Sequence, residues 1–505
     1  MIKVNNILII LIITPIFTAF LIPLIGKWGK KKRKLLVISS NIIEMSLLIS
    51  FVLTNFEKIK EGVFYLEYYL GDWIPPLGVI IKIDMFSLYF LVLTNILMFL
   101  LIFYSIGYIG HHEGKYYVLI FIIWGAMQGV LLTGDIFNLY VMLELILITS
   151  APLIAFKRNK EGSEAAIKYM FYGILGGLFI FTSIILIYYT LGTLNYNEIS
   201  ANFDTIPNDI KGLIVVLFLM GLFIKIGIFP LHFWLAKVQS ASPTPISALI
   251  SGVLINIYIY DYIRFFWDVF GFEVLKSLKL DLLIIYISIL SSLVGYILAL
   301  YEKDLKKVLA YSTMGHVGII IATVTLNTKI SLIAGLFYIL GHSVMKISLF
   351  TTSGYLIQHT PSNYLEDFKG VAYKNILVFS GFIVAASGMV GFPPMIGFIS
   401  RWFTIKSFIQ SGYYLHPFII IFGSLFAVVY YFRFIINGFR KIHLEKTFDF
   451  RLILSVLYRE RLVIDISLIF VGLIIVFGLF YRLINIPIIE AVNSILSPVL
   501  KNYIL

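Results

Sequence analysis

The sequence predicts an all-α polytopic membrane protein with about 14 spans, and three observations carry that prediction. Hydrophobic residues make up 60% of the 505 and charged residues only 13%, against about 45–50% and about 25% in an ordinary soluble domain. Mean hydropathy is +0.96, and it comes from repeated apolar runs of the roughly 20 residues a helix needs to cross about 30 Å of hydrocarbon. The runs lack the apolar/polar alternation of a transmembrane barrel. In lipid every backbone N–H and C=O must be satisfied within its own element, so the runs read as helices.

The first run, Ile7 to Ile25, precedes Lys27, Lys30, Lys31, Lys32, Arg33 and Lys34. That order is the reverse of a signal peptide's, so the run is expected to stay in the membrane with the amino terminus outside. Basic residues bias short loops toward the cytoplasm. Counting onward, the loops expected there hold His111-His112-Glu113-Gly114-Lys115, Lys157-Arg158-Asn159-Lys160, Lys303 with Lys306-Lys307, and the basic stretch Arg440 to Arg461. Opposite loops such as Asn195 to Lys211, with Glu198, Asp204 and Asp209, are neutral to acidic. An even span count returns the carboxyl terminus to the outside, in a multi-pass protein of a cell membrane. These loops account for the net charge of +12, which therefore implies no nucleic-acid partner.

No Gly/Ser linker or low-complexity tract divides the chain, so residues 1–505 read as one membrane domain. Two places break the helical pattern. Lys225-Ile-Gly-Ile-Phe-Pro230 interrupts the seventh span, and Gly388-Met-Val-Gly391-Phe-Pro393-Pro394 the twelfth. Paired Gly/Pro breaks in corresponding positions are the sequence sign of an inverted-repeat transporter, whose freed backbone groups line a polar cavity. A packing kink is the plainer alternative at each.

An ionisable side chain at the bilayer centre costs about 2.5–3.5 kcal/mol on the insertion scale, so each one needs a partner, water or a function. Glu144, Lys225, His342, Lys346 and Arg401 all fall within apolar runs, and His232 and His316 add two polar sites. His342 and Lys346 are four apart and project from one helix face, where they can hand a proton along one path. A lone histidine in such a span more often serves as a hydrogen-bonded packing residue. For Glu144 and Lys225, a carboxylate that moves toward or away from a buried lysine strengthens or weakens the lysine's hold on its proton. A static ion pair is the competing reading.

The chain contains no cysteine, so thiolate ligation of iron–sulfur clusters or zinc does not occur within it. It also shows no dinucleotide- or phosphate-binding glycine loop. No cofactor is expected in this chain, and any redox or ATP-hydrolysing chemistry belongs to a partner.

Several stretches match a known pattern. Asp135-Ile-Phe-Asn-Leu-Tyr-Val-Met-Leu-Glu144, then Lys225 with Pro230-Leu-His232-Phe-Trp234-Leu, then Ser242-Pro-Thr-Pro-Ile-Ser-Ala-Leu-Ile-Ser-Gly252 resemble the Mrp-type antiporter subunit family. That family includes antiporter-like subunits of respiratory complex I and of membrane-bound hydrogenases. Lys303-Asp-Leu-Lys-Lys-Val-Leu-Ala-Tyr-Ser312, His342 with Lys346-Ile-Ser-Leu-Phe350, and Gly391-Phe-Pro-Pro-Met-Ile-Gly-Phe398 extend the resemblance from about the third span through the thirteenth.

The resemblance implies fourteen helices with two inverted five-helix repeats, at approximately 116–268 and 279–438, each with a broken helix and each contributing a half-channel. A basic cytoplasmic loop at 440–461 and a last span and tail at 462–505 would follow. Glu144 and Lys225 then match the family's acid–lysine pair, and His342 and Lys346 its eleventh-helix relay. Arg401 falls where the family usually places a lysine or glutamate. An arginine holds its proton too firmly to relay it, so it would fix an electrostatic potential instead.

A second departure lies in Ser251-Gly-Val-Leu-Ile-Asn256, which puts asparagine where the family usually has a central lysine. Either the half-channels connect through water and His316, or the channel is modified or partly inactive. Asp261 is expected to pair with Arg264, three residues on, and so not to replace that lysine. The chain ends soon after its fourteenth span, without the long lateral helix of the largest family members, which resembles the D-type member or its hydrogenase counterpart.

The expected function is translocation of protons, with or without exchange for sodium, by a subunit of a multisubunit antiporter module. The module is either free-standing or part of a redox-driven complex. Expected partners are other antiporter-module membrane subunits, with iron–sulfur redox subunits in the second case. The alternative is a membrane subunit of an electron-transferring oxidoreductase with little or no conduction of its own.

Overall fold

Each long apolar run becomes a helix. In the computed structural model, which describes residues 4–27, 29–60, 64–73, 78–110, 113–440 and 461–496, twelve helices are long and apolar enough to cross a membrane. Two further crossings are interrupted. Asn208–Ile226 gives way to Leu235–Ala241, and Ile376–Val390 to Ile396–Gln410. Counted with the twelve, these two make fourteen.

The breaks have local causes. Gly227 and Gly391 end their helices at φ 80° and 96°, backbone that a side chain resists and glycine accepts. Pro230, Pro393 and Pro394 then remove the N–H donors needed to resume at once. In the first break the backbone is re-anchored by side chains. Trp234 Nε1 donates to the Ile224 carbonyl at 2.9 Å, and the Phe229 N–H donates to Ser291 Oγ at 3.1 Å.

Two of the motifs are caps. Asp135 accepts from the Asn138 N–H at 2.7 Å and starts the Ile136–Ile154 helix, and Asp304 does the same for Leu305–Val324 through the Lys307 N–H. Each satisfies a backbone donor that a helix start leaves open. One element escapes the all-helical expectation. Strands Tyr65–Tyr69 and Ile80–Asp84 pair antiparallel between the second and third crossings.

The loops sort onto two faces. On one, Arg33 and Lys34 pair with Glu113 at 3.8 and 3.6 Å, Tyr108 bonds Thr244 at 3.0 Å, Ser240 bonds Asp304 at 2.7 Å, and the Leu365 N–H donates to the Lys303 carbonyl at 2.9 Å. On the other, Lys82 donates to Asn197 at 3.2 Å and Asp135 bridges to Asn195. Of the loops expected to be cytoplasmic, those around Glu113 and Lys303 therefore share a face. Lys306 is a correction, since it is not a solvated loop charge. It is buried and donates to the Ser240 and Ser242 carbonyls at the end of the Leu235–Ala241 helix. His111, His112 and 441–460 of the basic stretch lie outside the described residues.

Two helices occupy the centre. Residues 241–266 of the seventh and eighth crossings and 334–356 of the eleventh are buried without exception. Peripheral helices differ. Lys160–Leu191 exposes Ile167, Phe171, Ile174, Leu178 and Ile185 along one stripe, the helical spacing of a face meant for hydrocarbon.

Candidate functional site

The first broken helix carries Lys225 two residues before its glycine break, buried at 4% exposure. Its Nζ donates to Glu144 Oε1 at 3.2 Å, across to the Ile136–Ile154 helix. The carboxylate is the more accessible partner, at 20% of its side chain. It rests on a glycine. A Cβ built at Gly177 would lie 2.3 Å from Glu144 Oε1, so Gly177→Ala must push the carboxylate aside. We expect that substitution to lower transport several-fold with little change in thermal stability, checked by flux and unfolding measurements on the same preparation.

A small cavity beside this pair is lined by Leu147, Tyr169, Gly173, Ile224, Lys225, Trp234 and Tyr258. His232 is not drawn into the pair. It is buried in the break against Phe229 and Phe233, with ring centroids 5.6 and 4.9 Å away, and its Nδ1 has no hydrogen-bond partner among the described residues.

The eighth crossing, Thr244–Val269, packs against both the Lys225 helix and the eleventh crossing. It contains two π-helical segments, Ile250–Leu254 and Phe265–Val269, a form that concentrates at functional sites. Between them Asn256 donates through Nδ2 to Ser343 Oγ at 2.6 Å and to the Gly252 carbonyl at 2.8 Å. It therefore reaches the eleventh crossing next to His342. Ser251 bonds Thr313 at 2.6 Å, on the tenth.

The second cluster contains only bases and hydroxyls. His316 Nδ1 bonds Tyr338 at 2.8 Å and Tyr296 at 3.3 Å, and its ring centroid lies 6.2 Å from that of His342. Both nitrogens of His342 are without hydrogen-bond partners among the described residues. One turn on, Lys346 donates to the Leu309 carbonyl and to Ser312 Oγ, both at 2.9 Å, and Ser312 is in turn held by Tyr430 and Tyr431. Arg401 lies over Gly391 at the second break and donates to the Met389 carbonyl, with Nη1 left over. Its charge reaches His316 and Tyr338. Hydroxyls thus surround His316 on one side and Lys346 on the other, with the His342 ring between them and bonded to neither.

One expected pairing is wrong. Arg264 does not turn to Asp261. Its guanidinium binds Asp84 through two parallel bonds of 2.6 and 2.7 Å and Asp268 at 3.0 Å. The fork geometry favours a carboxylate it can meet edge-on, and Asp84 stands at the end of the hairpin, 180 residues away in sequence. Glu44 was missed altogether. It is 1% exposed in the second crossing and accepts from Gln128 Nε2 at 2.7 Å, in a cluster with Asn95 and Trp124. A glutamate within the apolar Asn41-Ile-Ile-Glu44-Met run was legible by the same intramembrane-charge rule.

The geometry agrees with what the chain resembles. The D-type member of the Na(+)/H(+) antiporter of Alkalihalophilus pseudofirmus is 27% identical over 88% of this chain and 90% of its own length. The NADH-quinone oxidoreductase subunit N of Desulforudis audaxviator is 27% identical over 86% of each. A chain of the membrane-bound sulfane sulfur reductase, an archaeal respiratory membrane complex, shares the fold with a TM-score of 0.87 and 25% identity, over 98% of both chains. The family model described as NADH:quinone oxidoreductase/Mrp antiporter, TM, matches residues 133–427, which hold both helix breaks and every intramembrane base described above, and the chain belongs to that family.

Proposed function

We propose that this chain is the ion-translocating membrane subunit of a multisubunit antiporter module, moving protons and exchanging them for a cation such as sodium. The observation that carries the reading is the Glu144–Lys225 pair, buried beside a helix break. An ammonium there is hydrogen-bonded to Glu144 from a helix that ends two residues later, so small movements of either change how strongly it keeps its proton. The second cluster continues the path through His316, His342 and Lys346, with Arg401 setting the local potential.

In this reading the two halves, at about 116–268 and 279–438, act as inverted repeats, each supplying a half-channel. The face that gathers the basic loops is cytoplasmic, which places both termini outside. Other antiporter-module subunits complete the assembly in a cell membrane.

The test is transport by the natively purified assembly in sealed vesicles, followed with an entrapped pH dye. Lys225→Ala is expected to abolish cation-coupled proton flux while the assembly remains intact. Flux equal to the wild type would rule out a conducting role for this pair.

A second reading has its own support in the likeness to an archaeal respiratory complex and to a quinone oxidoreductase subunit. Here the same arm belongs to a redox-driven pump. Mass spectrometry of the mild-detergent extract separates the two. Only small hydrophobic antiporter subunits would mean gradient-driven exchange, and iron–sulfur subunits in stable amounts would mean redox drive.

A further inference from the structure

The least explained charge inside the spans is Asp261. It is completely buried, and neither carboxylate oxygen accepts a hydrogen bond among the described residues. Arg264, the neighbour best placed in sequence, spends its donors on Asp84, Asp268 and the Tyr260 hydroxyl. A lone carboxylate in such a place is expensive, and it is retained only where a proton or a facing cation neutralises it.

Two cations act on Asp261, Lys225 and Arg264, and with the Arg264 donors committed elsewhere Lys225 is the one available to it. Asp261 and Lys225 interact electrostatically, so the lysine serves two acids, Glu144 and Asp261. The helix geometry agrees. Tyr258 and Asp261, three residues apart, share one face, and Tyr258 lines the cavity beside Lys225 and lies within the fields of both Glu144 and Asp261. Asn256 is about 140° round the axis from Asp261 at 100° per residue, and it is turned instead to Ser343. The eighth crossing thus offers a titratable group to the first half and an uncharged amide to the second.

We propose that Asp261 is a proton-binding residue of the first half-channel, the group that receives the proton Lys225 releases as its ammonium leaves Glu144. In that step one Lys225 Nζ–H bond breaks and one Asp261 O–H bond forms. The ammonium becomes an amine and the carboxylate a neutral acid, so protons and net charge are conserved. Both charges disappear from an interior that penalises them. This deepens the functional reading above and rests on it.

The experiment uses the native assembly in sealed vesicles, carrying wild type, Lys225→Ala, Asp261→Asn or Asp261→Glu. Flux is followed with the pH dye, and carboxyl protonation by the C=O stretch in infrared difference spectra. Asp261→Asn is expected to lower flux at least tenfold without lowering thermal stability, and to remove a protonated-carboxyl band that Asp261→Glu shifts and retains. A structural role would not move that band. Wild-type flux in Asp261→Asn, with flux lost in Lys225→Ala, overturns this inference and leaves the functional reading standing. Wild-type flux in Lys225→Ala overturns the functional reading itself. If Asp261→Asn fails to assemble, the Glu variant decides, and a band left unshifted overturns the proposal.

Discussion

Replacing Glu144 with glutamine is expected to lower cation-coupled proton transport at least tenfold in an assembly that still forms. The amide keeps the shape of the carboxyl and can still accept from Lys225 Nζ, at 3.2 Å in the wild type. What it loses is the charge that holds a proton on the lysine and the differential that lets the lysine give it up. A tenfold loss corresponds to about 1.4 kcal/mol in a barrier, a modest demand on a buried charge pair. Because the amide keeps the shape of the carboxyl and an acceptor for Lys225 Nζ, the effect falls on transport rather than on folding. Equal flux in wild type and Glu144→Gln, at equal amounts of intact assembly, would count against a working pair.

The second large effect concerns the fold. Asp84→Asn is expected to destabilise the protein by about 3–5 kcal/mol, the usual consequence of removing one partner of a buried ion pair. Arg264 would keep Asp268 at 3.0 Å but lose one of its two bonds to Asp84 and the charge behind both, since the new amide nitrogen cannot accept. The guanidinium is buried beside the stacked rings of Phe86 and Tyr260, 5.0 and 5.4 Å from their centroids. The loss also loosens the hairpin from the eighth crossing, since Asp84 ends one of its strands and caps the third crossing through Ser87. Thermal unfolding in detergent measures this directly. A midpoint unchanged from the wild type would show that Arg264 finds equivalent partners.

Much of this molecule was legible in its sequence because lipid removes alternatives. A run of apolar residues there is most stable as a helix, and a glycine followed by proline tends to interrupt it, so the number of spans and the places of both breaks were predictable while the span ends were soft by several residues. Lys225 stood out because a charge at that depth needs a reason. What was not legible depends on tertiary partners. Arg264 has an acid three residues before it and another four after, and local spacing gave it the wrong neighbour. Its strongest partner comes from a hairpin that alternation in a five-residue strand signals weakly, particularly beside so many apolar helices. Lys306 read as a loop charge because Lys303 and Lys307 flank it, yet it turns inward to the carbonyl ends of a short helix. His232 shares its break with Lys225, and only the path of the chain through Pro230 to Trp234 shows that the ring packs apart from the pair.

The central claim is that Glu144 and Lys225 act as one unit in moving a proton, and the most direct test is a double-mutant cycle on flux through the reconstituted native assembly. Glu144→Gln, Lys225→Met and the two together would be compared with the wild type, with the pH dye as readout. A working pair predicts that the double variant loses no more than the worse single one, because once either partner is gone the other has nothing to act on. Losses that multiply, or a single variant with wild-type flux, would contradict it.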